Sequence, residues 1–370
     1  MPSQDPILSI KNITKSFGNF TAVKNLSLDV FDNEFFTLVG PSGSGKSTML
    51  RILSGLEQPT SGSIHLRGAD ITSTPANQRP TAMVFQSLAL FPHMTVGENV
   101  EYSCKCRGMS KEERRKVALE KLDVAHLSRT FYDKRVSQCS GGERQRVALA
   151  RAFAHEPDIL FFDESLSALD FRLKKLLEKE LKTIQRETGK TFVYITHNLE
   201  EAMVMSDRIG VMYEGALIQV GTPDVIYEKP ATFFVSQFMG EINQIDVKRD
   251  DKGGYFAPDL KNAVHLPAKV GQDFAGGRLA LRPESVLIAR PDELAAAPDA
   301  GDRSNLFEGR VEDVYLLGSR RQYHVRVGGK ALLVEEKNFA GREEKAVGET
   351  VQCFWHDRDC MVFDMNGNAL

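Results

Sequence analysis

The chain has 370 residues, of which 42% are hydrophobic and 26% charged, and its formal net charge is −3. This length suits two domains, and the apolar content is sufficient for sizeable cores. A nucleic-acid-binding protein would carry a strong basic excess or a basic stripe, so the charge argues against a nucleic-acid partner.

The sequence also argues against a membrane-spanning or disulfide-bonded protein. No apolar run reaches the roughly 18–20 residues of a membrane helix, and residues 1–5 lack the pattern of a signal peptide. We therefore expect a cytosolic chain that acts on a membrane only through a partner. The five cysteines are odd in number and scattered, which favours reduced thiols, and Cys104 and Cys106 lack a second pair at zinc-site spacing.

The first predicted elements are strands. Residues 8–10 and 26–30 alternate between apolar and polar, as half-exposed antiparallel strands do. Residues 35–39 form a nearly continuous apolar run, which indicates a strand that is covered on both faces. A glycine-rich loop follows, and residues 47–56 have the composition of a helix.

Further along, strands and helices alternate. Residues of about 88–157 are rich in helix formers and predict a helical insertion, and buried-strand patterns return at 159–162 and 191–195. This alternation indicates an α/β fold with a parallel sheet.

The pattern changes after about residue 238, where glycine and proline become frequent. Residues 323–327 and 351–355 alternate, and such short segments between turns predict a small β-barrel or barrels. We interpret residues 291–304, rich in Ala, Asp and Pro, as a surface loop. The predicted domains are an α/β domain at 1–237 and an all-β domain at 238–370.

A phosphate-binding pattern, G-x-x-x-x-G-K-[ST], lies at 40–48. Its glycines let backbone N–H groups converge on one anion, and the following helix directs its positive end there. In this pattern Lys46 reaches the β- and γ-phosphates and the Ser47 hydroxyl ligates Mg²⁺. A chance glycine-rich turn is the alternative, which the position between a buried strand and a helix disfavours. The predicted nucleotide-binding residues of the loop are Gly40, Ser42, Gly43, Gly45, Lys46, Ser47 and Thr48.

Two carboxylates follow the apolar strand at 159–162. Asp163 is placed to hold Mg²⁺, as the second acid of phosphate-loop enzymes does. Glu164 is placed to polarise a water for in-line attack on the γ-phosphate. A strand that runs into a solvated acidic turn is the alternative, and the phosphate loop in the same chain favours the catalytic interpretation.

The segment SGGERQRVALARA at 140–152 indicates to which class of phosphate-loop proteins the chain is similar. It resembles the signature of the ABC ATPase family, whose common form is Leu-Ser-Gly-Gly-Gln followed by Gln-Arg-Val-Ala-x-Ala-Arg-Ala. The resemblance implies that Ser140, Gly141 and Gly142 form a second anion cradle at a helix start, closing over ATP held by the other subunit. A simple helix cap is the alternative interpretation of Ser140.

Four other segments match the ABC family in order. The resemblance implies that Phe17 stacks on adenine and that Gln86 senses Mg²⁺ and the γ-phosphate beside a permease contact. It also implies that 167–170 crosses a dimer interface, with Asp170 at the nucleotide, and that His197 contacts the γ-phosphate and the attacking water. Alternatives are a core aromatic residue for Phe17 and a structural histidine for His197.

The sequence departs from the family pattern at several positions. Cys139 replaces leucine, Glu143 replaces glutamine, Ser165 replaces proline, and Asn198 and Leu199 replace the usual Asp-Gln. None of these departures removes Lys46, Ser140, Asp163, Glu164 or His197, so we still expect an active ATPase. Its predicted catalytic residues are Lys46, Glu164 and His197, and its predicted metal ligands are Ser47, Gln86 and Asp163.

The resemblance covers about 7–236, and the remainder resembles the TOBE-type regulatory domain of bacterial importer ATPases, with the best match at 281–284. Together, these two resemblances imply a homodimer that binds ATP and Mg²⁺ and drives two transmembrane permease subunits at the cytoplasmic face of the inner membrane. An extracytoplasmic solute-binding protein would act through the permease. Alternatives are a soluble ABC protein of translation or repair, which usually has tandem cassettes, and a non-ABC kinase, which has no use for the signature.

The cargo is the least determined feature. Residues 79–80, 89–96 and 239–243 look most like spermidine/putrescine importers. The segment 89–96 is shared with ferric-iron, sulfate and sugar importers, so those cargoes stay open, and only the segment around 240–243 favours polyamines.

Overall fold

The computed structural model describes residues 5–166, 170–271, 273–296, 305–339 and 343–370. The chain divides into two compact units, Met1–Asp224 and Val225–Leu370. No helix among these described residues is long and apolar enough to cross a membrane.

The first unit is an α/β unit, and its elements confirm the predicted alternation of strands and helices. In chain order they are β1 (Leu8–Phe17), β2 (Phe20–Val30), β3 (Phe35–Val39), α1 (Lys46–Leu53), β4 (Ser61–Leu66), β5 (Ala69–Asp70), β6 (Thr81–Val84), α2 (Val96–Cys106), α3 (Lys111–Val124), α4 (Gly141–Phe153), β7 (Ile159–Asp163), α5 (Phe171–Thr188), β8 (Thr191–Ile195), α6 (Leu199–Met205), β9 (Arg208–Tyr213) and β10 (Ala216–Gly221).

The central sheet has the strand order β10-β9-β3-β8-β7-β6. Its strands pair in parallel except β10, which joins the edge antiparallel to β9. Every residue of β3 and β8 is buried, as their nearly continuous apolar sequences predict. Because β3, β7 and β8 are parallel, their carboxyl ends meet at one edge of the sheet, the usual place for a ligand.

A second, antiparallel sheet has the order β2-β1-β4-β5. Its alternating strands bury one face in a core that includes Ile10, Val23 and Leu50 of α1. The predicted helix at 47–56 is three residues too long, since α1 ends at Leu53. Arg79 donates to the carbonyl oxygen of Leu53 at 2.7 Å and so satisfies the helix end.

Helices α2, α3 and α4 lie in the predicted helical insertion. Thr95 and Ser110 begin α2 and α3 with capping boxes, in which a glutamate three residues later bonds back to the cap. The three helices share a core that includes Val100, Ala118 and Val147.

The second unit is mainly β, which confirms the predicted all-β character of the C-terminal part. Its elements are α7 (Pro223–Glu228), which begins two residues before the division, then α8 (Phe233–Phe238), β11 (Asn243–Arg249), β12 (Tyr255–Ala257), β13 (Asn262–Val264), β14 (Gly276–Leu281), β15 (Leu287–Ala289), α9 (Pro291–Ala296), β16 (Asn305–Leu316), β17 (Arg320–Val327), β18 (Lys330–Lys337), β19 (Thr350–Trp355) and β20 (Met361–Phe363).

These strands form two five-stranded antiparallel sheets, with the orders β13-β12-β11-β14-β20 and β15-β19-β16-β17-β18. They share a core that includes Leu279, Val325 and Trp355. The predicted loop at 291–304 is wrong over its first six residues, which form α9 because the Arg290 N–H donates to Glu293 and caps the helix. Residues 297–304 lie outside the described residues.

Candidate nucleotide site

The phosphate loop joins β3 to α1. Gly45 has a φ of 101°, and a Cβ at this position would lie 2.3 Å from the Ala22 carbonyl oxygen, so the fold requires glycine. The buried ammonium of Lys46 donates to the carbonyl oxygens of Gly40 at 2.7 Å and Pro41 at 2.9 Å. The loop is thus closed around Lys46 beside the positive end of α1.

Lys46 and two carboxylates form one electrostatic group. Asp163 is the last residue of β7, and burial and the Glu164 charge raise its pKa, while Arg51 and Lys46 oppose this rise. Burial lowers the pKa of Lys46, whereas Glu164 and Asp163 act to raise it. The structure therefore brings together the predicted phosphate-binding lysine, the predicted metal ligand Asp163 and the predicted catalytic glutamate.

Glu164 and His197 are in direct contact. His197 Nδ1 lies 3.1 Å from Glu164 Oε1, with the glutamate side chain 23% exposed and the histidine 59% exposed. Glu164 has a φ of 44°, a region that glutamate rarely adopts, and its N–H donates to the Ile195 carbonyl at 3.0 Å. Such strain persists where the surroundings fix the residue, which is common at functional sites.

Glu201 positions the turn that carries His197, and the sequence prediction missed this role. Its side chain is buried, and its carboxylate accepts from the Thr196 hydroxyl at 2.6 Å and the Tyr194 hydroxyl at 2.8 Å. The same carboxylate forms an ion pair with Lys174 of α5. The available signal was a glutamate four residues after His197, which points inward on α6.

The signature segment begins α4. Ser140 is the N-cap, and its hydroxyl oxygen accepts from the Glu143 N–H at 3.3 Å while its own N–H donates to Glu143 Oε2 at 2.8 Å. A Cβ on Gly142 would lie 3.0 Å from Leu173 Cδ1, so this position is tight. The Ser140 side chain is exposed, and its O–H proton remains able to donate to an anion.

The structure places the two predicted recognition residues outside the core. Phe17 ends β1 and is 47% exposed, and the Lys15 ammonium lies 4.8 Å from its ring centroid. Gln86 is exposed and lies two residues after the end of β6 at Val84. Both are accessible to a ligand, as their predicted roles require.

The loop after Gln86 contains a second feature that the sequence prediction missed. Leu88 and Ala89 have φ values of 61° and 46°, both strained for residues with a side chain. Arg151 of α4 donates to both carbonyl oxygens, each at 2.7 Å. A guanidinium from the signature helix thus fixes the loop that carries Gln86.

Asp170 has a structural contact of its own. Its carboxylate accepts from the Leu173 N–H at 3.0 Å and caps α5, so the helix after 167–170 starts at this residue. The other three residues of that segment, Ser167, Ala168 and Leu169, lie outside the described residues.

Three of the departures from the family pattern, Cys139, Glu143 and Asn198, are accommodated locally. Cys139 is buried in the core of the helical insertion, where its thiol acts as an apolar group, and burial raises its pKa. Asn198 caps α6 by accepting from the Glu201 N–H at 3.1 Å, and asparagine and aspartate cap equally well. Glu143 completes the cap of α4, and Ser165 is buried.

The residues present fit a magnesium ion. Ser47, Gln86 and Asp163 offer a hydroxyl, an amide carbonyl and a carboxylate, the oxygen ligands that Mg²⁺ prefers. Burial, and after it the Glu164 charge, raises the pKa of Asp163, and a divalent cation beside the carboxylate would offset both effects.

Comparison with known proteins identifies the family. The ABC transporter family matches residues 23–167, and the TOBE domain family matches residues 279–363. The Roseobacter denitrificans protein named spermidine/putrescine import ATP-binding protein PotA is 50% identical over 335 residues, 90% of each chain. The Mesorhizobium japonicum protein of the same name is 40% identical over 337 residues, again 90% of each chain. The chain belongs to this family of ABC transporter ATP-binding proteins.

A solved structure agrees with this membership. A dimeric ATP-binding cassette in a post-hydrolysis state, bound to ADP and Pi, is 36% identical with a TM-score of 0.51, and the match covers 58% of this chain and 98% of that one. The prediction of an ABC-type, nucleotide-using ATPase with a TOBE domain is therefore confirmed, and the non-ABC kinase alternative is wrong.

Proposed function

We propose that this ABC ATPase hydrolyses Mg-ATP to power spermidine and putrescine import through a separate permease. The observation that carries the catalytic part is the Glu164–His197 contact at the sheet edge that also holds Lys46 and Asp163. The cargo is supported by the names of the relatives and by the segment at 240–243.

Two copies of the chain would bind two ATP molecules between them. Each nucleotide lies between the phosphate loop of one copy and the Ser140–Gly142 cradle of the other, an arrangement supported by the dimeric state of the solved cassette. Phe17 stacks on the adenine, and Asp170 lies at the interface. Because each site needs residues from both copies, hydrolysis requires the closed dimer.

Within each site, the chain acts by positioning and by charge. When ATP binds, the Lys46 ammonium gives up its hydrogen bonds to the Gly40 and Pro41 carbonyl oxygens and donates to phosphate oxygens with the same N–H groups. Glu164 accepts a hydrogen bond from the attacking water. His197 contacts both the Glu164 carboxylate and the γ-phosphate and so fixes their relative positions. Mg²⁺, held by Ser47, Gln86 and Asp163, offsets phosphate charge when it is bound.

The chain would work at the cytoplasmic face of the inner membrane as a peripheral subunit. Two transmembrane permease subunits contact the exposed loop at Gln86, and dimer closure moves α2–α4 together with that loop. An extracytoplasmic solute-binding protein delivers the cargo to the permease from the other side.

We also propose a domain division at 237/238. It lies at the carboxyl end of α8 (Phe233–Phe238) and before the first strand of the C-terminal sheets at Asn243, whereas the compact units divide earlier, after Asp224.

The test is ATP hydrolysis by the subunit assembled with its permease in lipid vesicles, with the cognate binding protein. Spermidine, putrescine, Fe³⁺, sulfate and maltose are added separately. Stimulation by spermidine or putrescine alone is the expected result. Stimulation only by Fe³⁺, sulfate or maltose would replace the cargo with the alternative that the shared segment 89–96 allows. Failure to assemble with any permease would contradict the transport function itself.

A further inference from the structure

Directly after the Ser140–Gly142 cradle, this chain has a carboxylate, Glu143, where the family usually has an amide. Glu143 bonds back to the N–H of Ser140 at 2.8 Å, so its negative charge lies one hydrogen bond from the first residue of the cradle. This N–H bond is the main cause that lowers the pKa of Glu143, and the residue is therefore ionised at neutral pH. A carboxylate at this position stabilises the helix start but repels a second anion that binds there.

Lys134 supplies the compensating charge. Its ammonium lies 3.1 Å from Glu143 Oε2 and 4.3 Å from the centroid of the Phe131 ring. The two side chains of the pair are 30% and 32% exposed, so water screens them only in part. The Lys134 ammonium acts on the Glu143 carboxylate both through a hydrogen bond and through its charge.

The backbone directs Lys134 at this position. Its carbonyl oxygen accepts from the Val96 N–H at 2.8 Å, and its N–H donates to the Phe131 carbonyl at 2.9 Å. Lys134 is therefore fixed to the start of α2 on one side, while its side chain reaches the start of α4 on the other.

We infer that Lys134 is a positioning residue for hydrolysis, whose ammonium neutralises Glu143 so that the Ser140–Gly142 cradle accepts the γ-phosphate of the partner copy's ATP. The inference rests on the proposed function, because the cradle meets a phosphate only in the two-copy arrangement. It assigns to Lys134 an effect on ATP-driven closure and none on the phosphate loop of its own copy.

The test measures ATP hydrolysis by the full-length subunit with four variants. Lys134→Met leaves the Glu143 charge uncompensated and should raise the ATP concentration for half-maximal rate about tenfold. Glu143→Gln should stay within about twofold of the wild type. In the double variant with Lys134→Met and Glu143→Gln, the ATP concentration for half-maximal rate should return to the wild-type range, because no carboxylate then needs neutralising. Lys134→Arg keeps the charge and should also stay near the wild type.

Lys134→Gln separates charge from structure. Glutamine can still donate a hydrogen bond to Glu143 but cannot cancel its charge, so we expect the same rise as for Lys134→Met. A purely structural role would be satisfied by that hydrogen bond, and the rise would be absent.

Lys121→Met is the matched control, since it removes a lysine from another glutamate pair of the helical insertion, 2.8 Å from Glu120. It should leave the half-saturating ATP concentration unchanged. Binding of labelled ATP to dilute Lys134→Met should equal that of the wild type, because the phosphate loop is intact.

A double variant that stays as impaired as Lys134→Met would overturn the inference, and so would wild-type behaviour of Lys134→Met. If the wild-type chain neither hydrolyses nor binds ATP, the proposed function fails, and not the inference about Lys134.

Discussion

Glu164 and His197 follow two neighbouring strands, β7 and β8, and meet at 3.1 Å. A parallel pair makes this contact possible, because both strands end at the same edge of the sheet. The motifs therefore predict the identity of both residues, while their contact and the left-handed φ of Glu164 are visible only in the structure.

Replacing His197 tests the contact at the catalytic residue. His197→Ala should lower kcat about 100-fold with little change in KM, because positioned water and carboxylate geometry are lost while the binding loop is kept. Steady-state ATPase kinetics of the full-length subunit measure both constants.

The chain offers a matched control in His126, which lies 3.1 Å from Glu187 on the surface. His126→Ala removes the same kind of pair and should change kcat less than about twofold. An equal loss in both variants would assign the effect of His197→Ala to stability.

Phe17 and Phe20 lie on either side of the turn that joins β1 to β2, and both are exposed. Phe17→Ala should weaken ATP binding about tenfold, because base stacking on an aromatic ring contributes about 1–3 kcal/mol. Phe20→Ala should leave ATP binding unchanged, as measured by titration calorimetry.

Inorganic tripolyphosphate separates the base from the phosphates in this comparison. Its binding should be equal in the wild type and in Phe17→Ala, since it has no adenine. A parallel loss of tripolyphosphate affinity would mean that Phe17 acts through the fold of the hairpin.

At the scale of elements, local sequence patterns correctly predicted the positions of individual strands. The continuous apolar run at 191–195 coincides with β8, and the alternating segments at 323–327 and 351–355 lie within β17 and β19. Contacts between distant segments were not predictable. The Arg79 bond that ends α1 joins residues 26 positions apart, which no local pattern specifies. The Glu293 cap of α9 spans only three residues, and the prediction of a loop there overlooked this local signal.

The Arg151 contact is the element-scale link between the signature helix and the Gln86 loop. Arg151→Met should lower the free energy of unfolding of the first unit by about 2 kcal/mol, because two carbonyls of a strained turn lose their donor. Urea unfolding followed by far-ultraviolet circular dichroism reports the helices of this unit.

Two controls accompany this experiment. Arg144→Met, on the same helix, removes one bond to the Cys139 carbonyl from an exposed side chain and should cost less than about 1 kcal/mol. The single tryptophan, Trp355, is buried in the second unit, so its fluorescence transition should not move in either variant. Equal destabilisation by both substitutions would contradict the proposed role of Arg151.

At the scale of the whole molecule, the sequence predicted both classes of structure because each has its own periodicity. The parallel sheet was predicted from strands alternating with helices, and the C-terminal sheets from short alternating segments. The pairing order in the two C-terminal sheets was not predictable, since antiparallel strands of similar length and pattern are interchangeable without tertiary contacts.

In the proposed arrangement ATP holds two copies together, because Ser140 and Lys46 act on the same phosphate from different chains. The most direct measurement is the mass of full-length Glu164→Gln in solution by light scattering, with and without Mg-ATP. This variant should bind ATP, lose turnover and change from the mass of one chain to twice that mass on adding ATP, whereas Glu164→Gln with Ser140→Ala should stay largely monomeric. An ATP-saturated Glu164→Gln chain that remains a monomer, or that still hydrolyses ATP rapidly, would contradict the account.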